Sequence, residues 1–209
     1  MKIRHLGISN IELASAVSSK DKLKRFDFQI MAVMHMLSER MLKGLNEQVT
    51  KELFSAYFYL GIAAYFKDSG FEGFSTWMEA QAEEELGHAI RIYDYVFERG
   101  GKVELYKIEM PKQEFESPLK AFEAVYLHEV GVTESIYKLV EIAQEENDHA
   151  TYQFLQWFVE EQVEEEATAK AVVDKLKIIG DHPQGLFMLD RELGTRVPRL
   201  RGLLIQTKE

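Results

Sequence analysis

Glu85 and His88, two residues that could bind one metal ion together, stand three positions apart in a stretch with helical periodicity. Side chains three positions apart project from the same face of a helix. The other positions of this face are mostly apolar: Phe74, Met78, Gln81, Ile92 and Tyr95. Burial of an unpaired carboxylate costs several kcal/mol or more. The pattern therefore predicts that Glu85 has a hydrogen-bonding partner or binds a metal ion.

Three further helical stretches carry polar residues in the middle of their apolar stripes. They are Glu52 on the first stretch, Glu129 on the third, and Gln162 with Glu165 on the fourth. Glu52 precedes Glu85 by 33 positions, and Glu129 precedes Gln162 by the same interval. Glu165 follows Gln162 by three positions, as His88 follows Glu85. These spacings predict two similar halves arranged around one internal site.

For any single member of this set, a hydrogen-bonded core residue or a partly exposed acid is the simpler interpretation. The set as a whole is different, because several carboxylates in one core repel each other strongly unless cations are present. Oxygen ligands with one imidazole and no thiolate favour iron or manganese, and zinc can compete on affinity.

The periodicity predicts an all-α fold with four long helices and a short fifth one. The predicted helices span residues 38–66, 71–99, 117–146, 149–179 and 184–193. Short turns make the first two helices antiparallel, and likewise the third and fourth. The segment 101–117 can reach roughly 56 Å at ~3.3 Å per residue, and the helices are about 40–45 Å long at ~1.5 Å per residue. We therefore expect a four-helix bundle with one long crossover between the second and third helices.

Composition limits the classes of function. The 209 residues carry a net charge of −10, which argues against nonspecific binding of nucleic acid and suits the handling of cations. The absence of cysteine excludes disulfides, thiolate nucleophiles, Cys-ligated zinc and iron–sulfur clusters. The longest apolar run is too short for a bilayer, and the N-terminus is a poor signal peptide, so we expect a cytoplasmic protein with no membrane partner.

Residues 1–35 differ from the rest of the chain, because they are basic and have no sustained helical stripe. They are either a functional arm or upstream sequence attached to the domain, and we favour the second interpretation. The predicted organisation is an N-terminal extension at 1–35, a bundle at 36–180, and the fifth helix with a basic tail at 181–209.

Residues 36–194 resemble a prokaryotic non-haem ferritin. The motifs that carry the resemblance are Asn46-Glu-Gln-Val-Thr-Lys-Glu52, Ser55-Ala-Tyr57 with Tyr59, Gln81-Ala-Glu-Glu-Glu-Leu-Gly-His88, His128-Glu129, Phe154-Leu-Gln-Trp-Phe158 and Glu161-Gln-Val-Glu-Glu-Glu166. The resemblance covers about three quarters of the chain and implies the ferritin-like bundle.

The resemblance also implies roles for individual residues. Glu52, Glu85 and His88 would bind a first iron, and Glu85 would bridge to a second. The second iron would be held by Glu129 and Glu165, with Gln162 alongside. An accessory third iron site would involve Glu84, Glu161 and Glu164, although acidic runs on helices are commonly solvated. Tyr59 and Trp157 match aromatic residues that supply electrons beside the centre, and core packing is the alternative for both.

Departures from related families narrow the resemblance. A haem-containing bacterioferritin would have a second Glu-x-x-His pair where this chain has Gln162 and Glu165, and a haem-binding Met where it has Leu86. We therefore expect no haem. A rubrerythrin would need a cysteine-rich iron domain, and a DNA-protecting mini-ferritin would lack the fifth helix.

The resemblance implies an iron-storage protein with ferroxidase activity, which oxidises Fe²⁺ with O₂ and keeps the ferric product as a mineral. Its partners would be further copies of the same chain, in a hollow shell of 24 subunits. Two alternatives stay open from the sequence: a di-iron oxidase or peroxidase that is not specialised for storage, and a non-catalytic helical scaffold.

Overall fold

The computed structural model describes residues 36–196, and within that range the chain folds into α-helices joined by turns and one long connection. The helices are α1 (Glu39–Asp68), α2 (Glu72–Glu98), α3 (Pro118–Glu145), α4 (His149–Ile179) and α5 (Pro183–Leu193). The predicted all-α class is confirmed. The expectation for residues 1–35, and the basic tail beyond Arg196, lie outside the described residues.

Local signals in the sequence set the ends of the long helices. Ser38 caps α1 because its Oγ accepts a hydrogen bond from the Met41 N–H at 2.9 Å. Ser117 caps α3 directly before a proline at the first helical position. Asp148 caps α4 by accepting from the Thr151 N–H at 3.1 Å. Asn147, in the turn before it, has a φ of 54°, a conformation that asparagine tolerates better than most residues.

Contacts between distant residues give the helix directions. Ser38 at the start of α1 donates to Glu146 at the end of α3, so these two helices are antiparallel. Arg99 at the end of α2 contacts Asp148 at the start of α4, so these two are antiparallel as well. Because a short turn reverses the chain between α1 and α2, α2 and α3 run parallel. The long connection between them must therefore return along the bundle.

The connection follows α1 from its first turns to its last. The Asn46 side chain donates to the Lys102 carbonyl at 3.1 Å, and Thr50 accepts from the Tyr106 N–H at 3.3 Å. Near the other end, the Tyr65 ring lies 5.4 Å from that of Phe115. The predicted crossover is thus confirmed. Side chains of α1 form hydrogen bonds with backbone groups of the connection.

The short helix α5 packs against the beginning of α2 at a position where only glycine fits. A Cβ atom on Gly73 would lie 1.7 Å from the Asp190 carbonyl oxygen. The Asp190 carboxylate also accepts a hydrogen bond from the Phe74 N–H at 2.9 Å. Leu189 and Leu193 are buried in the same contact. These interactions fix the end of α5 relative to α2.

An aromatic cluster fills one half of the bundle core. The rings of Phe66, Phe74 and Phe122 have centroids 5.1–5.6 Å apart and bring α1, α2 and α3 together. Tyr59 lies about two turns before Phe66 on α1, and the centroid of its ring is 6.4 Å from that of Trp77. The aromatic cluster therefore forms an apolar region of the core beside the polar centre of the bundle. No helix in the range 36–196 is long and apolar enough to cross a membrane.

Candidate metal centre

All four long helices contribute buried polar side chains to the middle of the bundle. The exposed fractions are 1% for Glu52 on α1, 1% and 6% for Glu85 and His88 on α2, 0% for Glu129 on α3, and 3% and 6% for Gln162 and Glu165 on α4. Each side chain lies on the inward stripe of its helix. Ionised carboxylates are rarely buried to this extent unless they are paired or bind a metal.

Glu52, Glu85 and His88 form a cluster with the geometry of a metal site. One ligand atom from each lies within 4.8 Å of the other two. The His88 Nδ1 is 3.3 Å from the Glu85 Oε2, as expected for residues three positions apart on a helix. Among the described residues 36–196, this is the one group of at least three acidic or histidine side chains whose ligand atoms lie this close together.

Two carboxylate oxygens of this cluster lack hydrogen bonds. Glu52 Oε1 accepts from the Gln48 amide at 2.8 Å, whereas Glu52 Oε2 and Glu85 Oε2 have no hydrogen-bond partner among the described residues. The 3.3 Å approach of His88 to Glu85 lacks the geometry of a hydrogen bond. Buried acceptors are otherwise almost always satisfied. Orphaned carboxylate oxygens beside an imidazole are therefore suited to a divalent cation.

Burial strongly perturbs the carboxylates when no cation is present. Desolvation, and then the charge of Glu85, raises the pKa of Glu52 from 4.5 to about 8. Desolvation, followed by the charge of Glu129, raises the pKa of Glu165 to about 7. The pKa values of Glu85 and Glu129 are also raised, with burial as the largest cause. A cation would remove this penalty, because it compensates the charge that burial disfavours.

Glu129 is held by donors from two other helices. Tyr59 on α1 donates to Glu129 Oε1 at 2.6 Å, and Gln162 on α4 donates to Glu129 Oε2 at 3.3 Å. The Gln162 amide also donates to Thr133 Oγ at 3.3 Å. Burial, and then the charge of Glu129, raises the pKa of Tyr59, so its phenol remains a donor. These bonds orient the carboxylate of Glu129 within the core.

Glu165 accepts a hydrogen bond from a side chain of α2, and that side chain is in turn bonded by a residue that follows α5. Gln81 donates to Glu165 Oε2 at 2.6 Å, and Arg196 donates to the amide oxygen of the same Gln81. Arg196 also donates to Glu84, which is exposed. Gln81 lies on the apolar stripe predicted from the sequence, but its link to Glu165 was not predicted. Arg196 was expected only as part of the basic tail.

The three residues of the predicted third site are more open than the central cluster. Glu84 and Glu164 are exposed, and Glu161 is half-buried. Glu84 is engaged by Arg196, so a cation at this position competes with a guanidinium for one of its carboxylate oxygens. The geometry thus supports the central cluster more directly than the third site.

The two aromatic residues of the expected centre lie beside it. Tyr59 contacts Glu129, as described above, and the Trp157 ring meets the His88 ring edge-on at 5.4 Å. The Arg91 guanidinium lies 4.0 Å from the centre of the Trp157 ring, a cation–π contact at the outer side of the site. Trp157 therefore lies between a surface cation and a ring of the cluster.

Comparison with known proteins is consistent with this geometry. The family profile described as "Ferritin-like domain" matches residues 42–179. A protein named "Bacterial non-heme ferritin" from Bacteroides fragilis (strain 638R) is 45% identical over 161 residues, which are 77% of this chain and 100% of the relative. A protein of the same name from Staphylococcus haemolyticus is 44% identical over 77% of this chain and 97% of its own length.

A solved structure extends the likeness to three dimensions. An open pore ferritin from the hyperthermophilic archaeon Archaeoglobus fulgidus superposes with a TM-score of 0.76 and 54% sequence identity, over 77% of this chain and 98% of that one. The sequence comparisons, the fold and the buried carboxylate site all indicate the same family. The chain belongs to the ferritin family and is an iron-storage protein with ferroxidase activity.

Proposed function

We propose that the protein oxidises Fe²⁺ with O₂ at a di-iron site inside each chain and stores the ferric product within a shell of 24 copies. The observation that carries the proposal is the pair of buried carboxylate oxygens, Glu52 Oε2 and Glu85 Oε2, that lack hydrogen bonds beside His88. Iron is the substrate here, and each Fe²⁺ gives up one electron to O₂.

The family resemblance implies a role for each residue, and the buried cluster of Glu52, Glu85 and His88 supports it. Glu52, Glu85 and His88 would bind one Fe²⁺, and a second Fe²⁺ would be bound by Glu129 and Glu165 together with Glu85. Gln162 orients Glu129 through its amide. Carboxylates stabilise the higher charge of Fe³⁺, so the same ligands that bind the substrate also favour its oxidation.

Binding of iron must displace protons from the site. Because burial raises the pKa of Glu52 to about 8 and that of Glu165 to about 7, both carboxyl groups hold protons for part of the time at neutral pH. Metal affinity is therefore pH-dependent. The surrounding core limits the access of water, which keeps the electrostatic interactions within the site strong.

Storage requires assembly, and exposed apolar residues support it. Phe187 and Met188 on α5 are 63% and 72% exposed, and Met110 in the long connection is 80% exposed. Such side chains are suited to contacts between copies of the chain. We propose that α5 lines a channel on a symmetry axis of the shell. Binding of a third iron by Glu84, Glu161 and Glu164, and a cytoplasmic location without nucleic-acid partners, also remain proposals.

Aerobic loading with Fe²⁺, followed by size-exclusion chromatography and measurement of iron per particle, tests this proposal. We expect a shell-sized particle that retains far more iron than the few ions its binding sites could hold. A small particle that retains only two ions per chain would instead indicate a di-iron oxidase. The same measurement on residues 36–209 tests the favoured interpretation of residues 1–35, since assembly without them is expected.

Tyr59→Phe tests the contact that orients Glu129. Removal of the phenol leaves Glu129 Oε1 without its donor, so the free energy of unfolding of the metal-free protein should fall by about 1–3 kcal/mol. The initial rate of Fe²⁺ oxidation should fall several-fold. Tyr137→Phe is the matched control, because Tyr137 is 45% exposed on α3. Equal stability of the two variants in urea unfolding would contradict the role of Tyr59.

A further inference from the structure

Arg196 follows α5 and reaches the edge of the metal site with both ends of its guanidinium group. One nitrogen donates to Gln81 Oε1 and another donates to Glu84 Oε2. The guanidinium carbon also lies 5.4 Å from the centre of the Trp77 ring. Three different side chains of α2 therefore define the position of this one cation.

The contact with Gln81 determines which way its amide group points. Arginine has only donors, so Gln81 must present its oxygen to Arg196. The amide NH₂ then faces the other way, and it donates to Glu165 Oε2 at 2.6 Å. With Arg196 absent, the Gln81 amide loses the partner of its oxygen and is held only through its bond to Glu165. Arg196 thus fixes one oxygen of Glu165 through an intermediate side chain.

The position of Arg196 depends on the packing of α5 against α2. Gly73 allows the two backbones to touch, and the Phe74 N–H binds the Asp190 carboxylate at 2.9 Å. The backbone after α5 stays close to the helix, since the Arg196 N–H donates to the Leu193 carbonyl at 3.3 Å. We propose above that α5 takes part in contacts between copies of the chain. Through Arg196, the same helix is also linked to the metal site of its own chain.

We infer that Arg196 is a positioning residue for the second metal ion, which acts by holding Gln81 so that Gln81 orients Glu165. The inference rests on the proposed di-iron function. It predicts an unequal effect on the two ions. The proposed ligands of the first ion are Glu52, Glu85 and His88, and the hydrogen bonds of Arg196 go instead to Gln81 and Glu84. The second ion needs Glu165.

Titration calorimetry of the assembled, metal-free protein with Zn²⁺ separates the two ions without oxidation. We expect Arg196→Ala to weaken the second binding step by about 3- to 10-fold, less than the 10- to 100-fold effect typical of a residue that bonds a metal ligand directly. The first step should stay as in the wild type. The KM for Fe²⁺ should rise by a similar factor.

Three further variants make the test specific. Arg191→Ala removes the same charge from an exposed position on α5 and should change neither step. Arg196→Lys should recover part of the second step, because lysine keeps the charge but lacks the planar fork that holds two acceptors. In a Gln81→Leu background, Arg196→Ala should have no further effect, since its route to Glu165 is already removed.

The outcomes distinguish this inference from the proposed function. If the wild type shows neither two binding steps nor saturable Fe²⁺ oxidation, the di-iron function is wrong. If the wild type shows both and Arg196→Ala behaves like Arg191→Ala, the role of Arg196 is wrong. An undiminished effect of Arg196→Ala in the Gln81→Leu background also overturns it. Should Arg196→Ala fail to assemble, Arg196→Lys decides, and a second step unchanged in that variant refutes the inference.

Discussion

Glu85→Gln should lower the initial rate of Fe²⁺ oxidation by about 100-fold or more, which is at least ~2.7 kcal/mol of lost stabilisation. The substitution keeps the shape of the side chain but removes the negative charge that we propose both iron ions share. His88→Ala should lower the rate by at least the ~10- to 100-fold that is typical of a residue supporting a ligand, because it removes one neutral ligand from one ion. Stopped-flow absorbance at two Fe²⁺ per chain measures both effects.

Asp94→Asn is the matched control for Glu85→Gln. Asp94 lies on the same helix at an exposed position, so the variant loses the same charge without a change in the core. Its oxidation rate should equal that of the wild type. Oxidation kinetics that persist unchanged in both Glu85→Gln and His88→Ala would show that the chemistry takes place elsewhere.

The same Glu85 substitution should have the opposite effect on stability. Glu85 Oε2 is buried without a hydrogen bond, and burial raises the pKa of this carboxyl well above its usual range. Glutamine removes the cost of the buried charge, so the metal-free variant should unfold at a higher temperature than the metal-free wild type. Added Zn²⁺ should then stabilise the wild type more than the variant. Such an exchange of stability for activity is common at functional sites.

The second large effect is a loss of stability of the metal-free protein as pH rises from 6.5 to 8.5. Burial, followed by the charge of Glu85, raises the pKa of Glu52 from 4.5 to about 8. In this interval the folded state holds a proton that the unfolded state has already released. Stability therefore falls as pH rises through the folded pKa. Glu52 alone contributes about 2 kcal/mol per chain over the part of the interval below its folded pKa, at about 1.4 kcal/mol per pH unit.

Below pH 6.5, a buried histidine changes the stability of the protein in the opposite direction. Desolvation lowers the pKa of His128 from 6.5 to about 4, so the unfolded state binds a proton there that the folded state does not. Stability from His128 is lost as pH falls below 6.5. As pH rises above 6.5 the unfolded state also loses this proton, so the contribution of His128 levels off and the carboxyl groups of Glu52 and Glu165 dominate.

Melting temperatures of the metal-free protein across this pH interval measure the effect. Glu52→Gln should flatten the dependence, because it removes a carboxyl group whose pKa burial raises to about 8. Saturating Zn²⁺ should reverse it, since metal binding releases the protons and gains affinity as pH rises. A melting temperature that rises with pH in the metal-free wild type, or that is unaffected by Glu52→Gln, would contradict the assignment of these pKa values.

Helices and buried carboxylates were predictable because both are local properties of the sequence. Apolar residues at helical spacing determine which face of each helix is buried, and Glu52, Glu85 and Glu129 lie on those faces. The length of segment 101–117 was sufficient to predict the crossover. Caps such as Ser38 and Ser117 set helix starts within a few residues of their own positions. The roles of the individual ligands came only from the resemblance, and they remain predictions.

The tertiary structure decided which atoms of those carboxylates are free to bind a cation. Glu129 Oε1 is engaged by Tyr59, which lies 70 positions away, and Gln81 contacts Arg196 across 115 positions. Such pairs depend on the relative placement of whole helices to within about an ångström, because hydrogen bonds need both a short donor–acceptor distance and a favourable angle. Helical periodicity identifies the buried face but does not contain this information. The sequence thus determined that a buried acidic site exists, and only the packing of α5 against α2 connected Arg196 to it.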